Sequence, residues 1–80
     1  MNNETTVIYN LLGKLEEKYL SDETIRRTIL EGNVAKQNEL EFIDALFQTI
    51  ITSLNFGDYK RATKYLILAE KFCRRCLDDR

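Results

Sequence analysis

The chain contains no histidine, no proline and no tryptophan, and only two cysteines and three glycines in 80 residues. Each scarcity removes a class of function. Without histidine the usual general base near neutral pH is missing. A structural zinc site needs four nitrogen or sulfur ligands, and a single copy offers two thiols. No glycine-rich loop is present to cradle a phosphate. The carboxylate pairs Glu16-Glu17, Asp22-Glu23 and Asp78-Asp79 fall on expected exposed faces or chain ends, where a solvated charge is the ordinary state. The chain therefore reads as non-enzymatic, with no cofactor, no metal and no small-molecule substrate.

No apolar run approaches the roughly 20 residues needed to cross a bilayer, so membrane insertion is not expected. Met1-Asn2-Asn3-Glu4 lacks the charged and apolar regions of a signal peptide, and a cytoplasmic location is expected. The absence of proline, together with the absence of β-branched alternation between turn residues, predicts an all-α protein. A single small domain over residues 1–80 has little core of its own. Chains of this size often complete their core with a protein partner or a second copy of themselves.

What the chain does have is helical periodicity. The first helix is expected from about Thr5 to Leu20, with Ile8, Leu11, Leu12, Leu15 and Tyr19 as its stripe and Gly13 as an internal weak point. Ser21 or Asp22 can cap a short second helix to about Glu31, with Ile25, Ile29 and Leu30 as its apolar face and Gly32-Asn33 as its stop. The third, from about Val34 to Phe56, aligns Leu40, Ile43, Leu46, Phe47, Ile50, Ile51 and Leu54. Gly57 ends it and Asp58 can cap the fourth, about Tyr59 to Asp78, so short a link forcing an antiparallel hairpin over residues 34–78. Small-against-large spacing of Ala62, Tyr65, Leu66 and Ala69 lets the two helices lie close. The expected architecture is a bundle of three to four helices built on that hairpin.

Charge is unevenly distributed. Glu31–Gly57 holds one lysine against four acids, whereas Asp58 onward holds seven Lys and Arg against four Asp and Glu. The simplest expectation is that the acidic third and basic fourth helices complement each other.

Some residues fall outside the hairpin seam. Phe42, Ala45, Thr49 and Phe56 line a second face of the third helix; it either receives the first helix or stays open as a groove for a partner. Ile67 and Leu68 lie off the seam of the last helix among Lys60, Lys64, Lys71, Arg74 and Arg75, and this exposed side is the other candidate partner surface. Nucleic-acid binding is disfavoured, because the long antiparallel third helix does not make a helix-turn-helix. Cys73-Arg-Arg-Cys76 is a C-x-x-C near a helix C-terminus, where the macrodipole opposes thiolate formation, so packing cysteines are the main expectation. A zinc or disulfide shared between copies, and a redox pair, are its alternatives.

Gly57-Asp58-Tyr59-Lys60-Arg61-Ala62, with Leu66 and Ala69, resembles the second helix of a tetratricopeptide repeat. The first-helix signature departs from that family near Ile50 and Ser53, and no second repeat follows, which excludes a solenoid. The order Leu46, Leu54, Gly57, Tyr59, Ala69, Glu70 also resembles the small co-chaperones of type III secretion needle subunits. The segment up to Glu31 is longer than that family needs, and the turn lacks its extra residues. The resemblance implies a complex with a tetratricopeptide-type chaperone that holds the needle subunit in the cytoplasm. The reading is an adaptor or co-chaperone. Its alternatives are a regulator touching DNA or the transcription machinery through the basic last helix, or a self-assembling helical protein.

Overall fold

A computed structural model describes residues 3–78. They form α1 (Asn3–Tyr19), α2 (Asp22–Leu30), α3 (Val34–Asn55) and α4 (Tyr59–Cys73), closed by a π-helical turn over Arg74–Asp78. The all-α expectation holds: three long helices pack against one another, α2 is a short fourth, and no strand occurs among the described residues. The opening Met1-Asn2 and the second member of the Asp78-Asp79 pair lie outside the described residues.

Two joints of the same construction set the topology. At each, a glycine in the left-handed region ends a helix, Gly32 at φ 66° and Gly57 at φ 75°. The Gly32 N–H donates to the Ile29 carbonyl and the Asn33 N–H to that of Thr28, while Gly57 donates to Leu54 and Asp58 to Ser53. This paired pattern satisfies carbonyls that a helix end otherwise leaves bare. The residue after each glycine then caps the next helix: Asn33 Oδ1 accepts from the Lys36 N–H and Asp58 Oδ1 from the Arg61 N–H, both at 3.1 Å. Ser21 Oγ does the same for Thr24 at 3.2 Å. Thr28 and Ser53 occupy equivalent positions at the two joints, both buried, each hydroxyl donating to the carbonyl one turn back.

The core sits between α3 and α4. Ile43, Leu46, Phe47, Ile50 and Leu54 pack against Ala62, Leu66, Ala69 and Cys73, with Ile8, Leu12 and Tyr19 added by α1. Burying each large apolar side chain stabilises the fold by about 1.5–3 kcal/mol, and the alanines let the helices approach. Glu4, Val7, Ile8 and Leu11 share a groove with the N-terminal half of α4, whereas Glu16 and Leu20 share one with the N-terminal half of α3. So α1 runs alongside α4 in the same direction and antiparallel to α3. In cross-section the three helices make a triangle, within a body measuring 41 × 20 × 18 Å.

Three expectations fail here. The face carrying Phe42, Ala45, Thr49 and Phe56 does not receive α1, which lies on the Leu40 side of α3, on the opposite flank. In α2 the expected apolar face is not buried: Leu30 is 80% exposed, Ile25 and Ile29 border an open groove beside Leu40, and Thr28, 1% exposed, is the residue turned inward. A nine-residue helix held by a short link at each end takes the orientation its joints impose, whatever its apolar moment. Leu11, expected within the core stripe of α1, is also exposed, because the buried line runs through Ile8, Leu12 and Tyr19.

Candidate interaction surfaces

Each edge of the triangle carries a different surface. On the α3–α4 edge, Phe42, Ala45, Thr49 and Phe56 fall within an arc of about 60° at 3.6 residues per turn. Phe56 is 83% exposed and Phe42 49% exposed, and Ala45 is open to solvent. Thr49 is half-buried, and its hydroxyl donates to the Ala45 carbonyl at 3.0 Å, which leaves its methyl for the surface. Across the edge, Phe42 meets the half-buried Phe72 with ring centroids 4.9 Å apart, a tilted aromatic pair. Leu68, exposed and one turn before Phe72, extends this surface on α4, as does the half-buried Tyr65. A recess at its far end includes Gln48, Thr52, Phe56 and Arg61. The sequence stripe is thus brought together as expected, with Phe72, Tyr65 and Leu68 joining it from α4.

The α1–α4 edge holds an open groove of about 910 Å³. Its apolar floor is Val7, Ile8, Leu11, Tyr59, Leu66 and Ile67, and its rim holds Glu4, Lys60, Lys64 and Glu70. Glu70 is taken up by Arg74, at 2.6 Å. The stripe Lys60-Lys64-Ile67-Lys71-Arg74 on α4, and Val7-Leu11-Lys14-Lys18 on α1, follow helical neighbour spacing along this edge. The groove is therefore apolar at its centre, with two glutamates and two lysines on its rim. Ile67 belongs here, not with Leu68, because successive residues on a helix point about 100° apart, and Lys64, one turn before both, borders each surface. Val7 and Leu11 were missed as surface residues. Their i, i+4 spacing is the signal, but it merges with the adjoining core stripe of Ile8, Leu12 and Leu15.

The α1–α3 edge, together with α2, forms a groove of about 410 Å³. Leu20, Ile25, Ile29 and Leu40 supply its apolar part, and Glu16, Asp22, Glu41 and Asp44 surround it without a lysine or arginine in the lining. Of the α3 acids, Glu41 and Asp44 line this groove, away from the hairpin seam. The ion pairs Arg27–Glu23 and Arg74–Glu70 each close within one helix.

Cys73 is fully buried in the core and Cys76 half-buried, both as free thiols. A cysteine site at a two-fold axis would need Cys73 at the surface, and the fold puts it inside. No helix among the described residues is long and apolar enough to cross a membrane. The chain matches no family model, no curated protein and no solved structure.

Proposed function

We propose that this protein is a non-enzymatic interaction module, an adaptor or co-chaperone that takes a helix of its partner against the open α3–α4 edge. The carrying observation is the apolar strip Phe42–Phe56 with Leu68 and Phe72, left uncovered by the other described elements of the chain. A helix laid along it would complete a four-helix bundle. Burying the exposed parts of Phe42, Phe56 and Leu68 supplies on the order of 4 kcal/mol before the cost of association. The finer proposal follows the likeness carried by Leu46, Leu54, Gly57, Tyr59 and Ala69-Glu70: a co-chaperone of type III secretion that works beside a tetratricopeptide-type chaperone.

The test compares wild type with Ala45→Glu/Phe56→Glu, purified with an affinity tag from the native host. Neither side chain is buried, so the circular dichroism spectrum and melting curve should match wild type. A stoichiometric partner retained by wild type and by the remote control Glu17→Lys, and lost from the double variant, is the expected result. A partner that survives the double substitution refutes this use of the edge.

A further inference from the structure

We infer that the helix received by the open α3–α4 edge is acidic on the flank it turns toward α4: an amphipathic segment of about 15 residues with Asp or Glu beside its apolar stripe. This depends on the docking role proposed for that edge and adds the chemistry of the occupant.

Charge complementarity carries it. The α4 half of the edge follows the line Arg61-Tyr65-Leu68-Phe72, in steps of three and four residues, with Lys64 and Lys71 on its outer side. Arg61, Lys64 and Lys71 are all exposed, and none has a carboxylate within ion-pair distance among the described residues. The Arg61 guanidinium lies over the Tyr65 ring, 5.6 Å from its centroid, which keeps a positive charge beside the apolar strip. The nearby acids are engaged or turned away. Asp58 shares a recess with Arg61 and Lys64 at the turn, where its Oδ1 caps α4. Glu70 lines the groove beside α1 and holds Arg74. On α3, Glu39 stands in line with the buried Ile43 and Leu46, while Glu41 and Asp44 line the groove on the far flank. Beside Phe42, Ala45 and Phe56 the exposed neighbours are Asn38, Gln48 and Thr52, all uncharged. The rim is thus basic along α4 and neutral along α3.

Geometry favours a helix over other occupants. From Phe42 to Phe56 the strip runs about 21 Å, roughly four helical turns. Charges flanking an apolar stripe choose the partner in helix-on-helix packing. Acids opposite Arg61, Lys64 and Lys71 are accepted there, and bases are rejected. A second copy of this chain does not meet that requirement. Two-fold pairing through this edge would gather both basic rows in one interface and bring no acid to them. Single-stranded nucleic acid calls for a basic track along the whole groove, whereas the bases here stand on one flank of a chain with net charge −1.

The probe is a displayed library of amphipathic helices of about 15 residues, selected on the immobilised full chain. Its apolar stripe is varied, and every flanking position is Glu, Gln or Lys. Selected helices should carry Glu in place of Lys along one flank. The Kd of a selected helix, read by fluorescence anisotropy, should weaken at least roughly tenfold when its flanking Glu residues become Lys. The variant Arg61→Glu/Lys64→Glu/Lys71→Glu, its fold checked by circular dichroism, should reverse that preference and bind the Lys-flanked helix better. Selected helices with no preference for acid, yet released by Ala45→Glu/Phe56→Glu, overturn the acidic occupant and leave the edge as a docking surface. Helices that this double variant still holds, or no selected helix at all, overturn both. Oligo(dT) of about 15 nucleotides binding more tightly than any selected helix also overturns the inference, with single-stranded nucleic acid as the occupant.

Discussion

Replacing glycine by alanine is one chemical change that this chain offers at three positions in two kinds of backbone. At Gly13, Gly32 and Gly57 an added Cβ would meet no other atom within 4 Å, so steric clash with neighbours drops out and the backbone term remains. Gly57 and Gly32 sit at φ 75° and 66°, where an L-residue's Cβ crowds the following carbonyl at a cost of about 1–2 kcal/mol. Gly13 lies inside α1, where alanine is favoured over glycine by about 0.8–1.0 kcal/mol. Gly57→Ala should therefore destabilise and Gly13→Ala stabilise, a gap of roughly 2–3 kcal/mol from the same added methyl. In a domain of this size each kcal/mol moves Tm by about 4–8 °C, so the two variants should melt more than about 8 °C apart. Thermal and urea melts followed by far-UV circular dichroism measure this, with an unchanged urea slope showing that the same surface unfolds. Shifts of the same sign at Gly13 and Gly57, or a stabilised Gly57→Ala, would refute the account of the joints.

Two further outcomes test the core and its boundary. Ile50→Ala should cost about 2–5 kcal/mol in a urea melt, a large share of the roughly 4–12 kcal/mol expected for a chain of this length. Phe56→Ser should stay within about 0.5 kcal/mol of wild type, because the ring it removes is 83% exposed. Equal losses at the two positions would mean that the edge is drawn in the wrong place. Thiol alkylation read by mass spectrometry should modify Cys76 first and leave Cys73 protected until the protein unfolds. Comparable native rates at both thiols would place Cys73 outside the core.

Features decided within a few residues were legible in the sequence. Gly57-Asp58 announced both a stop and a start, because a left-handed glycine and a short acceptor side chain act on backbone groups at most five positions away. Gly32-Asn33 was legible as a stop for the same reason. Its role as a cap for α3 was not read, although it is the same device. The hairpin seam was legible because Leu46, Ile50, Ala62 and Ala69 repeat at helical spacing over several turns. What escaped was orientation. Both flanks of α3 carry apolar side chains, and spacing alone does not say which flank α1 will cover. Leu40 lies toward α1, whereas the far flank carries Phe42 and Phe56 as well as Ala45 and Thr49, so side-chain size does not settle it either. For α2, Ile25, Ile29 and Leu30 gave a misleading face, because links that close around Thr28 outweigh the moment of so short a helix.

The exposed α3–α4 edge follows from the connectivity and cannot be closed by a small shift. A tight joint makes α3 and α4 antiparallel neighbours, and a two-helix hairpin has two broad sides. Among the described residues there is one further long helix, α1, of 17 residues, and it covers one side. The short α2 is committed to the N-terminal end of α3 by the Gly32 joint. Thus the side bearing Phe42, Ala45 and Phe56 stays uncovered by the other described helices, whereas the two grooves flank α1 on the other two edges. Because the three surfaces lie on separate edges, substitutions on one edge should leave the other two unaffected.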